Sequence, residues 1–120
     1  MKAAEFAQRA ADLIGGDRNR QHGDARKNHN NIAALWNGYL QRRFGGNHLI
    51  ALNAHDVMLM MVLLKVARTL AGSHNPDDYT DMVGYAALAG GDAEQTAALA
   101  DRIVAAEPSP PPIGRLVPRT

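Results

Sequence analysis

NAHDVMLMMVLLKVARTLAG, residues 53–72, followed directly by SHNPDDYTDMVGYAALAG, residues 73–90, decides how this chain is read. Each segment opens on acidic residues and turns strongly apolar within one helical turn. Asn53 stands where an N-cap belongs, with Asp56 at the third helical position, so the start of the first segment approximates a capping box. Gly72-Ser73 ends that helix, and Asn75-Pro76 opens the next with proline at its favoured first position. The pattern predicts helices over about 54–71 and 76–89, packed antiparallel.

Working outward, residues 2–14 place Ala3, Phe6, Ala7, Ala10, Leu13 and Ile14 on one stripe, and Gly15-Gly16 ends that helix. GGDRNRQHGD, residues 15–24, reads as a polar loop with Asp24 capping the next helix. Residues 25–43 carry Ile32, Leu35, Trp36, Tyr39 and Leu40 at helical spacing. Beyond Ala89, Gly90-Gly91 predicts a stop, and Asp92 then caps a fifth helix to about Ala106. No segment alternates long enough to propose a strand, and there is no internal repeat.

The expected fold is an all-α bundle of four to five helices over residues 1–107. The proline-rich stretch 108–120 is expected to be a flexible tail. Its Leu116-Val117-Pro118-Arg119 run resembles a thrombin recognition sequence, and no function is drawn from it. The helix after Asn53 is apolar on more than one side, which suits the middle of a bundle or a subunit interface. A homo-oligomer, dimeric or higher, is expected.

The 120 residues make one domain, and a formal charge of +1 supplies no bulk field for nucleic acid or anionic membrane. The absence of cysteine excludes disulfides, thiolate zinc sites and a cysteine nucleophile. The N-terminus shows no continuous apolar signal region, and the longest apolar run, from Val57 to Leu64, is too short to span a bilayer. A cytoplasmic protein with no membrane or nucleic-acid partner is expected.

Several residues are candidates for chemistry. Asp78 and Asp81, three apart on one helix face, have the spacing to share a hard cation through oxygen ligands. Acids in the first turn also complement the helix dipole and need no further purpose. Asp81 lies past that turn, where aspartate is a poor helix former and asks for a partner. Asp56 is a third candidate metal carboxylate, although antiparallel packing sets it near the far end of the next helix. Lys65 and Arg68 share a face and fall beside Asp78 and Asp81, either as structural ion pairs or as phosphate ligands. The loop containing His22 and Asp24 can meet an anion at a helix N-terminus. Asn28 and Asn31 project from one face and can contact a base or sugar. The histidines show no recognised zinc spacing.

These pieces, His22-Gly23-Asp24, Asn28, the helix HDVMLMMVLLKVAR and the helix DYTDMVGYAAL, resemble a small phage and prophage domain of unknown function over about residues 15–90. That domain is in turn similar to the all-α NTP pyrophosphohydrolase (MazG-like) superfamily. The resemblance implies magnesium held by Asp78 and Asp81, the counterparts of the superfamily's E-x-x-D. Taken with the residue reading, the expected site adds Asp56 as a further metal ligand, phosphates on Lys65 and Arg68, and a nucleotide met by His22, Asp24, Asn28, Asn31 and Tyr85. The implied reaction is magnesium-assisted hydrolysis of a nucleoside triphosphate to monophosphate and pyrophosphate. The acidic positions of the superfamily's E-x-x-E helix are here methionine, leucine or Lys65. A second expectation therefore stands beside the first: a non-catalytic phage-encoded module, either a nucleotide sponge or an inhibitor of a host protein. A third leaves every charge as a cap or ion pair in a homodimeric bundle.

Overall fold

The computed structural model describes residues 1–16, 25–46, 51–106 and 108. Within them the chain is all-helical: α1 (Ala3–Gly15), α2 (Ala25–Phe44), α3 (Ala54–Thr69) and α4 (Pro76–Ala106). No strand occurs among the described residues. The long α4 is the spine, with α1 and α3 both packed on it, and α2 packed on α3.

The first helix follows its stripe only in part. Ala10 is buried and Phe6 and Ile14 half-buried, while Leu13 stays exposed. Phe6 meets Tyr79 of α4 edge-on, ring centres 6.0 Å apart. Gly16 ends the helix over the Asp12 carbonyl, where a Cβ would come within 2.8 Å of the oxygen.

Arg42 and Arg43 lie in the last turn of α2, where cations complement the dipole. Gly45 comes next at φ +92°, a left-handed conformation that suits glycine, and its N–H closes the helix on the Gln41 carbonyl at 2.9 Å. Midway along α2 the Asn37 amide imitates a backbone strand. Its Nδ2 donates to the Leu52 carbonyl at 2.9 Å and its Oδ1 accepts from the Leu52 N–H at 2.8 Å. That double bond fixes the lead-in to α3.

The start of α3 is a full capping box. The Asp56 N–H donates to Asn53 Oδ1 at 2.9 Å, and the Asn53 N–H donates to Asp56 Oδ2 at 3.0 Å. From there α3 buries Ala54, Val57 and Met58. Ala54 and Met58 form the core cluster with Ala89 of α4, and Leu88 packs against it. The helix ends at Thr69, and Gly72 turns the chain at φ +75°.

The start of α4 is held by Asn75, whose side chain accepts from the Asp77 N–H and whose carbonyl accepts from the Asp78 N–H, both at 3.1 Å. The helix then runs unbroken for 31 residues. This corrects the expectation that Gly90-Gly91 stops one helix and Asp92 caps another. Two glycines inside a helix cost roughly 1 kcal/mol each against alanine. Their neighbours hold the segment helical. Ala89 is buried, its carbonyl lies 3.2 Å from His55 Nδ1, and Asp92 is tied to α2. Neither glycine takes a positive φ.

Candidate functional site

Two polar clusters lie at opposite ends of the contact between α3 and α4. The first joins the last turns of α3 to the first turns of α4. Lys65 Nζ lies 2.9 Å from Asp81 Oδ2, and Arg68 Nε lies 3.4 Å from Asp78 Oδ1. The antiparallel run of the two helices produces this pairing. Residues three apart share a helix face, so 65 and 68 meet 81 and 78 in reverse order. Lys65 keeps only 13% of its side chain exposed and Asp78 only 8%, while Arg68 keeps 56%. Both carboxylates are thus neutralised within the fold, one of them deeply.

Asp56 is not part of this cluster. Its carboxylate closes the capping box, and its neighbour His55 reaches the Ala89 carbonyl, eight residues beyond Asp81. The expected metal set of Asp56, Asp78 and Asp81 is therefore not assembled. Among the described residues no three His, Asp or Glu side chains converge as a metal site requires. The helix direction that brings Lys65 and Arg68 to the acids carries Asp56 away from them. Among the described residues a resident magnesium ion does not fit: there are two carboxylates, each already held by a cation, and no third acid joins them.

The second cluster surrounds Ala89. Arg26, near the start of α2, places Nε 2.9 Å from Asp92 Oδ1 and donates from a terminal nitrogen to Thr96 Oγ1 at 3.0 Å. Asp92 is buried, and the oxygen facing Arg26 is held by charge rather than by an aligned hydrogen bond. One turn along α2, His29 is buried with its Nδ1 2.6 Å from the Ala25 carbonyl. A carbonyl only accepts, so Nδ1 donates there. The His29 ring meets Tyr85 edge-on at 5.9 Å.

Among the expected nucleotide contacts, Tyr85 is half-buried against His29, Asn28 is half-buried, and Asn31 is exposed. His22 and Asp24 lie outside the described residues. Sequence reasoning does not single out Arg26, His29, His55 and Asp92 as a group. Asp78, Tyr85 and Asp92 recur every seven residues and so share one face of α4, a signal that the expected glycine break conceals.

Residues 5–93 match the family described as "Domain of unknown function (DUF6378)", and the chain belongs to that family. The chain is 39% identical over 82 residues to the Gene 55 protein of Mycobacterium phage D29, a stretch covering 68% of this chain and 47% of that protein. It is 35% identical over 79 residues to the Gene 55 protein of Mycobacterium phage L5, covering 66% and 46%. The chain thus spans about half the length of the curated relatives it matches. No solved structure matches it. The expected membership of a phage domain of unknown function is borne out. Among the described residues no helix is long and apolar enough to cross a membrane.

Proposed function

We propose that the chain is a nucleotide-binding module of phage type that does not hydrolyse its ligand. The observation that carries this reading is the way Arg68 is used. It meets Asp78 through Nε alone, at 3.4 Å, on a side chain more than half exposed. The two terminal nitrogens of such a guanidinium remain for a second partner, and their fork matches a phosphate. Lys65, one turn away on the same face, is enclosed against Asp81, so the phosphate contact falls mainly to Arg68. A distant kinship with the MazG-like superfamily rests on the Asp78 and Asp81 spacing.

The same cluster speaks against magnesium-dependent pyrophosphohydrolysis. Metal-assisted attack needs carboxylates free to hold the ion and position water. Here both are spent on cations. Any magnesium would have to arrive with the nucleotide.

Titration calorimetry with the eight common NTPs and dNTPs, with and without magnesium, tests the proposal beside a pyrophosphate-release assay. Binding without turnover, weakened about tenfold by Arg68→Ala as a lost charged contact requires, is the expected result. Pyrophosphate release abolished by Asp81→Ala would establish the hydrolase instead. No heat with any nucleotide would overturn the reading and favour a module that binds a host protein.

A further inference from the structure

We propose that Leu59, Leu63 and Val66 on α3, with Leu70 at its C-terminal cap, form a two-fold seam on which a second copy of this chain packs. This inference is independent of the nucleotide reading.

One side of α3 is buried in the bundle through Ala54, Val57 and Met58. The other side faces solvent although it is equally apolar. Leu59, Leu63, Val66 and Leu70 are all exposed, up to 66% at Leu63 and 85% at Leu70, and Met60 and Leu64 flank them. Their spacing of four, three and four residues is that of a helix-pairing stripe, in which each side chain seats in a hole of the facing helix. The six residues are uncharged, so juxtaposing two copies brings no like charges together.

Area and economy select the occupant. A standard interface takes about 800 Å² from each partner, and these six side chains alone supply on the order of 500 Å². The bundle's own core is small by comparison. Val57 and Met58 are its only large side chains that are fully buried among the described residues. A continuous apolar stripe beside so small a fully buried core calls for a cover, and the partner made with every chain is another copy. A single stripe facing itself closes into a dimer rather than a filament.

The test uses the full chain. Light scattering on a sizing column is expected to give twice the chain mass for the unmodified protein and one chain mass for Leu63→Glu, with helical circular dichroism retained. Leu63→Cys guards against a variant that merely misfolds. The chain holds no other cysteine, so a short bis-maleimide should link two copies at that one position. A monomer in the unmodified protein, a Leu63→Glu variant that keeps the doubled mass, or a Leu63→Cys dimer that is not cross-linked would each overturn the proposal.

Discussion

Lys65 Nζ sits 2.9 Å from the Asp81 carboxylate and joins the penultimate turn of α3 to the second turn of α4. The lysine is largely enclosed while the aspartate is partly open to water. Removing one partner strands the other beside apolar neighbours. Lys65→Met is expected to cost about 1–2 kcal/mol, below the range for a fully buried pair because Asp81 keeps some hydration. Adding Asp81→Leu should recover most of that loss, since an apolar pair can replace an ion pair. Urea midpoints of the two single variants and the double variant measure the coupling. Additive losses would mean that the contact has no energetic weight.

A second prediction concerns the glycine pair inside α4. Nothing lies within 4 Å of where a Cβ at Gly90 or Gly91 would stand, and neither residue has a positive φ. Gly90→Ala and Gly91→Ala are each expected to raise stability by about 0.5–1 kcal/mol through helix propensity. A lowered melting temperature would instead place a break in the helix there.

Arg26 and Asp92 make the opposite end sensitive. Asp92 is buried within the helix, and Arg26 is its cation. Arg26→Ala should destabilise by about 3 kcal/mol because it leaves a buried carboxylate without its counter-charge. Asp92→Asn in the same background should restore part of the loss. Thermal unfolding of the three variants separates the charge effect from lost packing.

The capping box gives the sharpest separation of structure from binding. Asn53→Ala is expected to cost about 1 kcal/mol, the usual weight of an N-cap. Asp56→Asn should also reduce stability, yet leave nucleotide affinity unchanged, because its carboxylate caps α3 at the end away from Lys65 and Arg68. Calorimetry on Asp56→Asn reads this directly. A loss of nucleotide affinity would return Asp56 to the ligand site.

The features legible in the residue pattern are largely local. The capping box at Asn53, the proline start of α4 and the pairing of two cations with two acids all obey rules that operate within a few residues or across one antiparallel turn. The unbroken α4 is hidden because glycine propensity is local, whereas the groups that override it come from other helices: His55 on α3 and Arg26 on α2. Asn37 is illegible for the same reason, since an amide inside a helix gives no hint that it will pair with the backbone of Leu52 fifteen residues on. The apolar circumference of α3 does announce a second side in need of cover. Periodicity alone does not tell bundle interior from exposed stripe, because both demand the same residues.

The uninterrupted α4 also makes the molecule a strut. The family match ends at residue 93, but the helix carries on from Glu94 to Ala106, about 20 Å further. A kink at the glycines would have let that outer length swing. A rigid rod instead gives Leu99, Ile103 and Val104 a set bearing relative to both clusters. Any tilt imposed on the Asp78 end travels to Ala106 as leverage.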